Sequence, residues 1–255
     1  MTCIAAVGDI HVGSGDGDRV AAAFDGLDER CEALLLAGDL TRCGDPDEVK
    51  VLAAILGIQE MPIVAVLGNH DHHADRVDEV VGILVDAGVQ VLEGTATTLT
   101  IGDTTVGIAG TKGFGGGFVG ASISDFGEPL MKEFARCTAT MARQLETGLR
   151  SVAEADHRIA LLHYAPIPDT LRGENPEIYT ALGSYLLGEA IDRAGADLVL
   201  HGHAHLGTER GVTPGGIRVR NVALPVIGSA YRVFDFSDAG AGAGVDQPGL
   251  RARNG

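Results

Sequence analysis

Residues 63–71 run Ile-Val-Ala-Val-Leu-Gly-Asn-His-Asp: five aliphatic side chains in succession, then a glycine followed by three polar ones. A short apolar run closed by a turn signal reads as a strand buried on both faces, as in a parallel sheet covered by helices. The same plan occurs twice upstream. Cys3 to Val7 runs into Gly8-Asp9, and Ala33 to Ala37 runs into Gly38-Asp39. Between these runs, Asp16 to Leu27 and Pro46 to Ile58 carry apolar residues at helical spacing. Asp75 to Ala87 does the same before Gly88, which suits a C-terminal cap. The chain therefore opens as β-α-β-α-β.

Downstream the pattern changes. Ala96 to Ala109 is Thr-rich and alternating around Gly102-Asp103, the signature of a hairpin with a tight turn. A glycine-rich stretch, residues 113–118, is suited to a mobile rim loop, and a helix is expected from near Glu128 to about Ala155. Arg158 to Leu162 reads as a strand. Ile178 to Ala194 reads as one helix with Leu182, Tyr185, Leu186 and Ile191 on a face, stopped by Gly195; Asp197 to His201 is a further strand. From Leu206 to Phe236 the residues alternate around Thr213-Pro214-Gly215-Gly216, so the sheet is expected to finish in antiparallel strands. The Gly/Ala-rich stretch 238–255 offers little to bury and is expected to be loosely ordered.

A chain of 255 residues, 45 % of them hydrophobic, can close a single large α/β core. Nineteen Lys and Arg against 35 Asp and Glu give a formal charge of -16, which repels polyanions and argues against duplex nucleic acid as a partner. The same charge is compatible with a small phosphate ester if bound cations reverse the potential inside a pocket. The N-terminus lacks a secretory pattern, and no apolar run approaches the roughly 20 residues that cross a bilayer, so a cytoplasmic, non-membrane protein is expected. The four cysteines, Cys3, Cys31, Cys43 and Cys137, form no C-x-x-C pair and read as reduced, buried thiols.

Polar clusters close five of the apolar runs: Asp9-Ile10-His11, Gly38-Asp39, Gly68-Asn69-His70-Asp71, His163 and Gly202-His203-Ala204-His205. In an open α/β sheet the carboxyl ends of parallel strands meet at one crevice, where ligands bind. Any one cluster alone is explained by a cap, a solvated loop or a core histidine. Five in order are not. Asp, Asn and His together supply oxygen and imidazole donors without thiolate, which suits Mn, Fe, Zn, Co or Ni better than Ca or Mg.

The order D-x-H, GD, GNHD, H, GHxH resembles that of the calcineurin-like metallophosphoesterase family, with no member missing from Asp9 to His205. The resemblance implies a four-layer α-β-β-α sandwich, two mixed sheets packed face to face, within a domain of residues 1–237. It implies two divalent or mixed-valence transition-metal ions, Mn or Fe favoured. Asp9, His11, Asp39 and His205 would hold one ion, and Asp39, Asn69, His163 and His203 the other, with Asp39 as the bridge. His70 would face the phosphate and the leaving oxygen, and Asp71 would influence its orientation. Two such ions, roughly 3.5–4 Å apart, clamp phosphoryl oxygens and acidify a bridging water, so the nucleophile would be hydroxide.

The second cluster continues Leu40-Thr41-Arg42-Cys43-Gly44-Asp45, which looks more like the bacterial cyclic-nucleotide phosphodiesterase branch than like Ser/Thr protein phosphatases. A phosphodiester, including a cyclic nucleotide, is the leading substrate class. A phosphomonoesterase is the alternative; a repair nuclease fits the acidic balance poorly, and a metal-poor interaction module fits the filled ligand positions poorly. Lys112, Arg172 and Tyr164 are candidate substrate contacts. His72, His73 and His157 are expected to be exposed, and His201 to be a packed, hydrogen-bonded residue.

Overall fold

The aliphatic runs form the centres of two sheets. A computed structural model of the chain describes residues 2–236 and the strand Gln247–Pro248. In chain order, β1 (Cys3–Val7), α1 (Gly17–Phe24), β2 (Ala33–Ala37), α2 (Pro46–Leu56), β3 (Ile63–Val66), α3 (Val77–Asp86) and β4 (Val89–Val91) build the first half. The second half contains the hairpin β5 (Thr95–Ile101) and β6 (Thr104–Thr111), a small ribbon of β7 (Gly117–Phe118) and β8 (Ala121–Ser122), and the long helix α4 (Pro129–Ser151). It continues with β9 (His157–Leu162), α5 (Tyr179–Leu182), α6 (Tyr185–Ala194), β10 (Leu198–His201), β11 (Arg210–Val212) and β12 (Arg218–Asn221). Helix α7 (Leu224–Ile227), β13 (Arg232–Asp235) and β14 (Gln247–Pro248) follow.

One six-stranded sheet has the order β14-β13-β1-β2-β3-β4, and the other β11-β12-β10-β9-β6-β5. Both are mixed. Strands β1 to β4 are parallel and β13 runs antiparallel to β1; β6, β9, β10 and β12 are parallel, flanked by antiparallel β5 and β11. Strand periodicity divides the core into layers. Ile4, Ala6, Leu35, Val64 and Val66 meet Ile108, Leu161 and Leu200 of the other sheet. The alternate residues Ala5, Val7, Leu34 and Leu36 pack instead beneath α1, α2 and α3 with Phe24, Leu52 and Leu84. On the far side, Leu145 and Leu149 of α4 and Leu187 and Ile191 of α6 cover Ala160, Leu162 and Val199. Four layers, α-β-β-α, result. Because both faces are covered, all five residues of β2 are fully buried, which is why the sequence there is unbroken apolar rather than alternating.

Several expectations need correction. Residues 178–194 are not one helix: the chain breaks at Gly183-Ser184, where Ala165 NH donates to Leu182 O and Ser184 NH to Ala165 O. A Cβ on Gly183 would stand 2.0 Å from Ala165 O, so this approach of two backbones requires glycine. Ser184 then caps α6 by accepting from Leu186 NH, and the buried face of α6 is Leu187, Ala190 and Ile191, with Tyr185 and Leu186 only half-buried. Beyond Leu206 the strands are not simply antiparallel: β12 runs parallel to β10, α7 intervenes, and β13 crosses to the first sheet. Helix α4 ends at Ser151 rather than near Ala155. The expectation for residues 238–255 lies outside the described residues, apart from Gln247–Pro248, which pairs with β13.

Candidate metal centre

The loops after β1 and β2 run side by side as an extension of the sheet, with Asp9 NH donating to Gly38 O, His11 NH to Asp39 O and Val12 NH to Leu40 O, at 2.9, 3.1 and 2.9 Å. Asp9, His11, Asp39 and His203 adopt positive φ values of 58°, 46°, 49° and 70°. They are four of the five non-glycine residues in that region among the described residues. Such conformations cost roughly 1–3 kcal/mol each and persist where the surroundings over-determine them. Here the flanking hydrogen bonds do so. Two motif glycines admit carboxylates: a Cβ on Gly68 would lie 2.1 Å from Asp39 Oδ1, and one on Gly202 would lie 2.2 Å from Asp9 Oδ2.

The result is two overlapping groups of donor atoms. Asp9, His11, Asp39 and His205 each offer one atom within 4.8 Å of the others, and so do Asp39, His163 and His203. Asp39 belongs to both. His205 Nε2 is 2.8 Å from Asp9 Oδ1, His11 Nε2 is 3.7 Å from Asp39 Oδ2, and His163 Nε2 is 3.3 Å from Asp39 Oδ1. His163 Nδ1 lies 3.0 Å from Ala37 O and can only donate to it, so Nε2 carries a lone pair. Asn69 Oδ1 faces that lone pair at 2.9 Å. Two acceptors converging in this way are reconciled by a cation. His11 Nε2 points the same way, being buried with no hydrogen-bond partner. The residues present therefore fit metal ions.

Electrostatics agree with this reading. Burial holds the His163 ring well below its usual pKa, and burial with neighbouring His163 lowers His203 to about 3, so both are neutral imidazoles near pH 7, ready to act as ligands. Burial, and the adjacent Asp39 charge, raise Asp9 to about 6 despite its hydrogen bond from His205. A buried carboxylate pair of this kind calls for positive charge.

A family model described as calcineurin-like phosphoesterase matches residues 3–207. The chain belongs to that family. Calcineurin-like phosphoesterases are metal-dependent hydrolases that bind dinuclear transition-metal centres. A segment of 67 residues is 39 % identical to the glycerophosphodiester phosphodiesterase GpdQ of Enterobacter lignolyticus (strain SCF1), covering 26 % of this chain and 24 % of that protein. The match thus spans about a quarter of the relative's length. Among solved structures, TT1561 of Thermus thermophilus superposes with a TM-score of 0.61 at 20 % identity, covering 97 % of this chain and 98 % of that one. The phosphopantetheinyl hydrolase PptH of Mycobacterium tuberculosis gives 0.59 at 16 %, covering 87 % and 89 %. At these identities the two structures bear on the fold alone.

In this calcineurin-like phosphoesterase, His70 sits half-exposed at the mouth of the centre, its Nε2 3.9 Å from Asp39 Oδ2 and its ring 4.6 Å from that of His11. Its Nδ1 is 2.7 Å from Arg42 O, an acceptor only, so Nδ1 keeps its proton and Nε2 points into the site. Asp71, expected beside His70, does something else. Its buried carboxylate accepts from Leu40 NH, Thr41 NH, Thr41 Oγ1 and Gly68 NH, and so ties the loop after β2 to the loop after β3. The Arg42 carbonyl, not Asp71, orients the imidazole. Nothing in residue type could signal that role, because any residue has a carbonyl.

Of the remaining histidines, His72 and His157 are less exposed than expected, whereas His73 is exposed and His201 packed and hydrogen-bonded, as the sequence suggested. His72 is half-buried with Nε2 lacking a partner, and burial lowers it to about 4. His157 opens β9 against Phe236, and His201 is fully buried, with its ring nitrogens 2.8 Å from Gly202 O and Thr170 Oγ1. Only His73 is exposed. Tyr164 stacks 4.4 Å from His203, and Arg172 turns outward to Asp169. Of the cysteines only Cys31 is buried, while Cys43 is exposed beside Glu48. No helix among the described residues is long and apolar enough to cross a membrane.

Proposed function

We propose that this chain is a phosphodiesterase working with two transition-metal ions, Mn or Fe favoured, Asp9, His11, Asp39 and His205 holding one and Asp39, Asn69, His163 and His203 the other. The observation that carries this reading is the membership of Asp39 in both donor groups, which a dinuclear site requires and two independent mononuclear sites would not. When bound, the ions supply Lewis acidity, drawing charge from phosphoryl oxygens and acidifying water for attack.

The rest of the work falls to side chains. His163 and His203, neutral through burial, keep their lone pairs available at neutral pH. Asp71 ties together the two loops that carry Asp39 and Asn69, whose side-chain oxygens both approach His163 Nε2. His70 exchanges protons only through Nε2, since Nδ1 is committed to Arg42 O. As imidazolium it can give that proton to the departing oxygen and leave the ring neutral. The preference for a diester is supported by the similarity of one segment to a glycerophosphodiester phosphodiesterase.

The test compares a monoester, an unstrained diester and a cyclic nucleotide after reconstitution with Mn. Diester turnover that exceeds monoester turnover and disappears in chelator is expected. Monoester preference would assign the site to phosphomonoesters instead. Two bound ions with no turnover of any ester would remove the hydrolase reading.

A further inference from the structure

Lys112 follows β6 directly, and its carbonyl accepts from both His163 NH and Tyr164 NH at 3.1 and 3.0 Å, so the residue is fixed beside a candidate ligand. The residue is buried, with 7 % relative exposure. Yet the ammonium forms no hydrogen bond or ion pair with any described residue. What surrounds it is aromatic: Nζ lies 5.3 Å from the Phe114 ring centre and 6.0 Å from that of Tyr164, whose ring stacks on His203. Glu93 and Asp39 attract it through space without pairing with it. His72 Nε2 is buried without a partner, and Lys112 is the strongest charge acting on its ring. Rings over an ammonium offset part of its lost hydration while leaving its N–H groups without a hydrogen-bonded partner among the described residues. An ammonium with its donors open in this way, one aromatic ring away from His203, is placed for an anion that arrives with the substrate.

We propose that Lys112 is a substrate-binding residue whose Nζ donates to a non-bridging phosphoryl oxygen of the ester. This rests on the phosphoesterase reading above. A phosphodiester carries two non-bridging oxygens. These oxygens carry more lone pairs than ions at the Asp39 centre would take up, and Lys112 is a cation near that centre with no hydrogen-bonded partner among the described residues. Phe114 and Tyr164 flank the ammonium, and a hydrogen bond between an ammonium and a phosphoryl oxygen is charge-assisted.

The test is calorimetric titration of inorganic phosphate into Mn-loaded wild type, Lys112→Met and Lys112→Arg, with metal content and melting temperature measured on each. Lys112→Met is expected to keep its two ions and to bind phosphate about 10- to 100-fold more weakly, the range for losing a hydrogen bond to a charged group. Lys112→Arg should recover part of the affinity, because the charge is what matters; a purely structural role would make the larger guanidinium at least as damaging. With a diester, Lys112→Met should raise KM. If wild type binds phosphate and Lys112→Met binds it equally well, this inference is overturned while the phosphoesterase reading stands. If metal-loaded wild type binds no phosphate, both fail. Should Lys112→Met fold poorly, Lys112→Gln, which retains a neutral donor, replaces it with the same expected loss.

Discussion

Each residue of the centre has a separable role. Asp39→Asn weakens both groups, since both use the Asp39 carboxylate, whereas His163→Ala touches one. Elemental analysis after reconstitution should show occupancy falling from two towards none in the first variant and towards one in the second; two tightly held ions in Asp39→Asn would contradict the sharing. His70→Ala should leave metal content nearly intact and lower the rate according to the leaving group. A nitrophenolate departs without a proton, but a high-pKa alkoxide needs acid assistance typically worth about 10²–10⁴-fold, so the alkyl ester should suffer more. Equal losses for both esters would make His70 a phosphate-positioning group. Asp71→Asn replaces a carboxylate that accepts from four groups, and an amide presents one acceptor and two mismatched donors there. A destabilisation of about 1–3 kcal/mol in denaturant titration is expected, with the pattern of leaving-group dependence preserved. The five motif clusters were legible from the sequence because residue types carry ligand chemistry. The Arg42 carbonyl, the clamp role of Asp71 and the four positive-φ residues were not, since backbone atoms and torsions leave no mark on residue type.

At the scale of elements, β1, β2, β3 and the hairpin were readable almost to the residue, whereas β4, the crossing of β13 to the first sheet and the break within 178–194 were not. Local sequence there favours a continuous helix; the break arises because Ala165 reaches the backbone at Gly183 from across the crevice. That contact outweighs helix propensity, which differs among most residues by well under 1 kcal/mol each. Ser184→Ala removes the cap of α6 and should cost about 0.5–2 kcal/mol, measured as a shift in denaturation midpoint without change in slope. Gly202→Ala belongs here too, because it tests the loop leaving β10 rather than a ligand. Its Cβ would collide with Asp9 Oδ2, so the carboxylate must move; metal content should fall while the fold loses only about 1–3 kcal/mol. Full metal occupancy in that variant would mean that the loop, not Asp9, yields.

For the whole molecule the balance of buried titrating groups sets acid stability. His72, His201 and His203 are lowered by burial to about 4, 4 and 3, and His163 is lowered well below its usual value. Unfolded histidines take up protons near pH 6.5 while these cannot, so their contribution is full above that value and is lost as pH falls towards 4. Asp9 and Asp71, raised to about 6, and Glu93, raised to about 7, act oppositely, favouring the fold below the unfolded carboxylate range and losing that contribution as pH rises through 6 to 7. These four histidines outnumber the three carboxylates. The melting temperature of chelator-treated protein should therefore drop between pH 6.5 and 4, and a rise across that interval would show the carboxylates to dominate. The sequence by itself determined the buried parallel strands and the candidate donor residues that close them, because strands covered on both faces must be apolar and Asp, Asn and His carry oxygen and imidazole donors. Only the tertiary structure decided which nitrogen of His70 faces the site, where the helix after residue 178 breaks, and that Lys112 stands buried beside His163. Those are properties of distance between residues far apart in the chain, and local patterns do not encode them.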